Sequence, residues 1–274
     1  MVNAEIPILI ETSQVEQLRQ NADLFIIDLS DKSVYLQGHI ADAIHLEYSQ
    51  IIQHQPPIMG LLPSEAQLTA LFSNIGLTPE HHVVAYDCEG GGKASRLLWT
   101  LAIAGHQKLS LLNGGLQAWQ SEQRALSSET KQSAPSQYQV QLHNQDMIAN
   151  RDYILTHLNE PAIKLLDARS SAEYSGADVR ALRGGHIPGA VNFDWLNGID
   201  QQNALRLKPK QTLLNQLSDV GITPDCEVIV YCQTHTRSAF SFIMLKALGF
   251  DKVRGYPGSW SDWGNQQDTP IIES

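Results

Sequence analysis

Cysteine is scarce in this chain: only Cys88, Cys226 and Cys232 occur in 274 residues. An odd, sparse set argues against a disulfide framework and for a reducing, cytoplasmic compartment. No apolar run approaches the roughly 18 residues of a membrane-spanning helix, so no membrane partner is expected. The opening Met1-Val-Asn-Ala-Glu-Ile-Pro7 lacks a basic segment followed by a long apolar one, so no secretory signal is expected. Positive charge is also short. Lys and Arg total 19 against 29 Asp and Glu, a net charge of −10, which disfavours nucleic acid or an anionic membrane as partner. No histidine pair follows Cys226 and Cys232 at finger spacing, so no metal is expected. Gly90-Gly-Gly-Lys93 lacks the earlier glycine and the Ser or Thr of a nucleotide-binding loop, so no cofactor is expected. What remains is an ordinary apolar content and a length suited to two domains, with a core that needs no staples.

The most informative stretch runs from Val228 to Ser238. Val228-Ile-Val-Tyr231 reads as a buried strand, and it stops at Cys232. Ser238 to Leu248 reads as a helix closed by Gly249. Cys232 therefore opens a short loop, Gln233-Thr-His-Thr-Arg237, that leads into a helix N-terminus. Unpaired N–H groups and the positive end of the helix dipole should face that loop. A thiol there is expected as thiolate near neutral pH. The net negative charge will not attract an anionic substrate, so Arg237 and the loop amides must.

The chain also repeats itself. Leu24-Phe-Ile-Ile-Asp28 and Gly38-His-Ile-Ala-Asp-Ala-Ile44 in the first half match Ile163-Lys-Leu-Leu-Asp167 and Gly185-His-Ile-Pro-Gly-Ala-Val191 in the second. Val83-Val-Ala-Tyr-Asp87 matches Val228-Ile-Val-Tyr-Cys232, and each precedes a helical stretch. Asn113-Gly-Gly-Leu-Gln-Ala-Trp119 matches Tyr256-Pro-Gly-Ser-Trp-Ser-Asp-Trp263. Short apolar strands alternating with helices predict an α/β fold, each copy a mainly parallel sheet flanked by helices. Ligands in such sheets sit beyond the carboxyl ends of the strands, where Asp167 and Cys232 lie. The expected organisation is a first domain over 1–126, a polar linker over 127–145, and a second domain over 146–274. Asp87 stands where the second copy has Cys232, so the first domain is expected to be catalytically silent.

These residues resemble the two-domain rhodanese family, the thiosulfate:cyanide sulfurtransferases. The resemblance rests on the Gly185-to-Ala190 motif, Cys232 opening its loop, and the closing Gly258-Ser-Trp-Ser-Asp-Trp263. The loop Cys232-Gln-Thr-His-Thr-Arg237 is most similar to the bacterial members. The resemblance implies that Cys232 attacks thiosulfate or another small sulfur donor, expels sulfite and holds the sulfur as a persulfide. Cyanide, a thiol or a protein sulfur acceptor then takes it. The backbone N–H groups of Gln233, Thr234, His235, Thr236 and Arg237 would hold the charge as a nest.

Arg237 would bind the sulfonate end of the donor or pin the loop. His235 would donate to sulfite, lower the thiol pKa, or be an exposed loop residue. Asp167 and Arg169 are expected to pair and lock the loop. Trp195 and Trp260 are expected to pack in the core. Vertebrate members tend to carry an arginine before their Tyr-x-Gly, and here Glu173 precedes Tyr174-Ser-Gly176. Arg180 and Arg183 lie nearby in sequence and could substitute.

Other readings compete. A 3-mercaptopyruvate sulfurtransferase would share the fold and Cys232, but Gln233 and His235 do not match its loop. A phosphatase or arsenate reductase of related fold would need a longer loop, for only four residues separate Cys232 from Arg237. A non-enzymatic persulfide carrier would use the same thiol with poor turnover of free thiosulfate.

Overall fold

The computed structural model describes residues 6–158 and 160–273. They cluster into two compact units. The first holds the chain up to Ile51, Pro63–Asn144 and Asp200–Leu207; the second holds Ile52–Leu62, Gln145–Ile199 and Lys208 onward.

In chain order the first half carries β1 (Leu9–Ile10), α1 (Thr12–Leu18), β2 (Leu24–Asp28), α2 (Lys32–Gln37) and β3 (Ile44–His45). An antiparallel hairpin follows, β4 (Gln53–Gln55) and β5 (Ile58–Leu61). Then come α3 (Glu65–Asn74), β6 (His82–Tyr86), α4 (Gly92–Ile103), β7 (Leu109–Leu112) and α5 (Gly115–Ser121). The first unit's sheet is parallel throughout, in the order β1-β7-β6-β2-β3. Every residue of β6 is buried, as a central strand covered on both faces requires. On one face Val15, Leu116 and Trp119 pack on Ile26, Val84 and Tyr86. The polar segment after α5 is tied down by its backbone. Ser136 N–H donates to Ser73 O at 2.9 Å, and Val140 N–H donates to Thr69 Oγ1 at 3.0 Å, both on α3.

The second half carries α6 (Arg151–His157), β8 (Ile163–Asp167), α7 (Ser171–Ser175), β9 (Ala190–Asn192), β10 (Ile199–Asp200) and β11 (Arg206–Leu207). It ends with α8 (Lys210–Asp219), β12 (Glu227–Tyr231), α9 (Arg237–Leu248), β13 (Val253–Gly255) and α10 (Ser259–Trp263). Its main sheet is again parallel, in the order β13-β12-β8-β9. A parallel bridge from Ile148 to Gly255 stands where the first unit has β1 beside β7. Ile229, Tyr231, Tyr256, Trp260 and Trp263 form the core of one face. The expected alternation of parallel strands and helices is thus present in both copies. Among the described residues no helix is long and apolar enough to cross a membrane.

Candidate active site

β12 lies between β8 and β13 in the second sheet, so its carboxyl end opens at the middle of the sheet edge. Cys232 is the first residue beyond that end and is 1% exposed. The loop that follows reaches α9 at Arg237. Within it His235 has φ 59, the left-handed region that a residue with a side chain enters only when held there. The next residue, Thr236, is right-handed. Left- and right-handed residues in succession turn consecutive N–H groups to one side, which makes an anion nest.

The sulfur lies in that nest. Burial alone would push the Cys232 thiol up. The Arg237 charge, the hydroxyl and N–H of Ser238 and the N–H of Thr234 favour the thiolate, and the net result lies below an ordinary thiol. Ser238 has one hydroxyl proton. With that proton donated to the sulfur, its oxygen is left to accept, and His235 Nδ1, 2.7 Å away, is then the donor to it. The same bond holds the left-handed turn. His235 is fully buried, not the exposed loop histidine that was one reading of the sequence.

The loop's backbone is held from outside. Cys232 N–H donates to Ser259 Oγ at 3.2 Å. Trp260 and Ser261, in the first turn of α10, donate their N–H groups to the carbonyls of Cys232 and Gln233 at 2.9 and 3.0 Å. The Gln233 side-chain amide donates to Arg180 O at 3.0 Å. On another side the β4–β5 hairpin, part of this same unit, comes so close that only glycine fits. A Cβ on Gly60 would stand 2.3 Å from Thr234 O and 2.6 Å from Pro257 O. Met59 N–H also donates to Ser261 Oγ at 3.1 Å.

Arg237 faces a carboxylate. Its Nη1 and Nη2 donate to Glu173 Oε2 and Oε1 at 2.6 and 2.8 Å. Burial would raise the Glu173 carboxyl, but the Arg237 fork outweighs it and brings the group down to about 2. Asp167 and Arg169 pair as expected, at 2.5 to 3.0 Å. Arg169 also donates to Gly185 O at 2.8 Å and lies 4.4 Å over the Trp260 ring, which ties the Gly-His-Ile-Pro-Gly segment to α10. Trp260 is buried, and Trp195 packs edge-on against Phe240. Arg183 donates to Thr269 and the Trp263 carbonyl, while Arg180 remains half exposed.

The first unit builds the same cradle and fills it. Asp87 Oδ1 accepts from the N–H groups of Glu89 and Gly91 at 2.9 and 2.8 Å, and Oδ2 from Ala94 N–H at 3.0 Å. Ser30 stands where the second copy has Arg169, and burial pushes the Asp28 carboxyl up. Burial likewise pushes the Cys88 thiol up, and Cys226 lies before β12, away from the cradle. Among the described residues no group of three or more His, Cys, Asp or Glu could hold a metal ion.

The loop from Cys232 to Arg237 was legible in the sequence. Ser238, Ser259, Gly60 and the pairing partner of Arg237 were not. Ser238 reads as an ordinary first-turn residue, and the others approach only through folding.

The profile of the rhodanese-like domain matches the chain twice, over residues 11–122 and 150–266. A thiosulfate sulfurtransferase of Pseudomonas aeruginosa is 42% identical over 270 residues, covering 98% of each chain. One from Azotobacter vinelandii is 42% identical over 268 residues, again covering 98% of each. A sulfur carrier protein of Thermus thermophilus is 30% identical over 97% of this chain and 96% of its own length. Among solved structures, an anaerobic ergothioneine biosynthesis enzyme from Chlorobium limicola superimposes with a TM-score of 0.87 at 20% identity, over 97% of this chain and 70% of that one.

Proposed function

Both halves of this chain belong to the rhodanese-like domain family, and on that premise we propose that the protein moves the sulfane sulfur of thiosulfate to cyanide or a thiol through a persulfide on Cys232. The observation that carries this reading is the contrast between the two cradles. One holds a thiol with converging donors, and the other is occupied by the carboxylate of Asp87. The naming of two relatives as thiosulfate sulfurtransferases, each covering nearly the whole chain, supports thiosulfate as donor.

The Cys232 thiolate attacks the outer sulfur of thiosulfate. The S–S bond of the donor breaks, and its electron pair leaves with sulfite. The new sulfur carries the negative charge that the thiolate gave up, so the nest that stabilised the first anion also stabilises the second. Donors include the N–H groups of Thr234 and Ser238 and the Ser238 hydroxyl. Cyanide then attacks the outer sulfur, leaves as thiocyanate and returns the thiolate. With cyanide as acceptor no proton has to move in either half of the cycle, so that reaction needs no general base.

A second reading, a persulfide carrier that passes its sulfur to a protein, is favoured by the relationship to the Thermus carrier. Free thiols on all three cysteines fit a reducing compartment such as the cytoplasm. Intact mass distinguishes the schemes. Thiosulfate should add one sulfur atom to the protein and cyanide should remove it; sulfur gained but turned over only sluggishly would favour the carrier, and no gain would sink both.

A further inference from the structure

Glu173 is 1% exposed and charged, in a unit whose cradle serves anions. Its surroundings explain how it stays so. Arg237 of α9 grips both oxygens, Arg180 Nη1 stands 3.7 Å from Oε1, and Arg169 at the end of β8 adds its charge. Ser170 donates its N–H and hydroxyl to Oε2 at 3.2 and 3.1 Å, closing the capping box of α7.

The consequence is that the three guanidinium groups around Glu173, among them the Arg237 fork that acts on Cys232, are already engaged. Arg169 holds Asp167, Arg180 holds Asp178 and Arg237 holds Glu173. A planar carboxylate on a donor is best received by a guanidinium fork, two parallel N–H bonds in one plane. A tetrahedral sulfonate carries three equivalent oxygens and can be met by single N–H groups from several directions.

The geometry points to Glu173 as a specificity-determining residue: by filling the fork of Arg237 it denies a seat to carboxylate-bearing sulfur donors and reserves the cradle for compact ones. This rests on Cys232 being the sulfur-accepting thiol, and it names the donor class that thiol serves. The excluded reaction is chemically open. The thiolate could take the sulfur of 3-mercaptopyruvate, with the C–S electron pair going to carbon and the thiol proton following it to give pyruvate. The seat that the Arg237 fork would offer the carboxylate is taken by Glu173.

The test is Glu173→Gln, assayed with thiosulfate and with 3-mercaptopyruvate, cyanide being the acceptor for both. The ratio of kcat/KM for mercaptopyruvate to that for thiosulfate should rise roughly tenfold or more, the worth of a charge-assisted pair of hydrogen bonds. The gain should lie mainly in KM and vanish in Glu173→Gln combined with Arg237→Ala. A purely structural Glu173 would lower both donors in parallel and leave the ratio unchanged, which overturns the proposal.

A second readout needs no turnover. Pyruvate should shield Cys232 from iodoacetamide in Glu173→Gln and not in the wild type; equal shielding in both also overturns it. If the wild type gains no sulfur from either donor while pyruvate still discriminates the variants, the sulfur-transfer reading fails and the carboxylate seat stands. Should Glu173→Gln not fold, Glu173→Asp, which draws the carboxylate back from the fork by one methylene, is read in the same two ways.

Discussion

His235 Nδ1 lies 2.7 Å from Ser238 Oγ, inside a loop where His235 is fully buried and left-handed. The pair links the backbone turn that forms the nest to the hydroxyl that serves the sulfur. Neither group needs to touch a substrate for the loop to depend on it.

Removing that hydroxyl should make the thiol less acidic. In Ser238→Ala the Cys232 pKa is expected to rise, because a hydrogen bond to the charged thiolate is lost. The thiolate is the form being stabilised, so its loss shifts the curve to higher pH. Alkylation by iodoacetamide across pH, with Cys232→Ala as background, reads the shift directly. An unmoved curve would mean that the Ser238 hydroxyl does not serve the sulfur.

Persulfide formation should reside on one thiol. Cys232→Ala is expected to abolish the gain of a sulfur atom seen by intact mass, while Cys88→Ala and Cys226→Ala keep it. Burial raises the Cys88 thiol, and the amides of its loop already serve Asp87. Loss of the gain in Cys88→Ala would contradict a silent first unit.

The close approach at Gly60 makes Gly60→Ala a loop variant at a distance in sequence. The added methyl meets the Thr234 carbonyl at 2.3 Å, a backbone atom that cannot swing aside as a flexible side chain would, so the loop has to shift. Such misplacement is expected to lower kcat/KM for thiosulfate on the order of tenfold to a hundredfold. The Cys232 thiol should become less acidic alongside. Unchanged kinetics would show that the hairpin does not position the loop.

Acid should weaken the second unit through Glu173. Its folded pKa of about 2 lies below the ordinary 4.5, so the unfolded chain binds the proton first as pH falls. The group's contribution, about 3 kcal/mol, is whole above pH 4.5 and is lost progressively down to about 2. Urea unfolding of the wild type and Glu173→Gln should differ most near neutrality and converge toward pH 2. A gap that is the same at pH 3 and pH 7 would assign the cost of the variant to packing.

In the first unit the corresponding acid-sensitive group is His82. Burial lowers it from 6.5 to about 4, and its Nε2 donates to Ser110 Oγ, which in turn donates to Pro7 O. Neutral imidazole suits that chain of bonds. Its stabilising contribution is present above pH 6.5 and falls away toward 4, by about 3 kcal/mol at most. The His82 imidazole titration, followed by NMR, should have its midpoint well below that of a free histidine; an ordinary midpoint would rule the effect out.

Much of this architecture could be read from the chain because its strongest signals are local. The apolar run Val228–Tyr231, the cysteine at its end and the helix after it lie in one continuous segment, and the repeat sets Asp87 in the place of Cys232. The supporting residues follow a different logic. Parallel strands deliver their carboxyl ends to one edge from points far apart in sequence, so Glu173 meets Arg237 and Ser259 meets Cys232 only after folding. The left-handed turn at His235 carries no glycine to announce it. The β4–β5 hairpin is short, a polar Gln53–Gln55 paired with an apolar Ile58–Leu61, and neither strand alternates in a way that would place it against Thr234.

That hairpin also bears on how the protein can be taken apart. Gln53 to Leu61 precede the polar segment in sequence, yet they cluster with the unit that carries Cys232. A fragment begun at residue 146 would retain the thiol, α9 and α10 while leaving out a stretch of backbone on which its reactive loop rests. Activity assays on such a truncation would measure an incomplete loop, and restoring 52–62 as a separate peptide or by grafting would be needed before its output could be set beside that of the full chain.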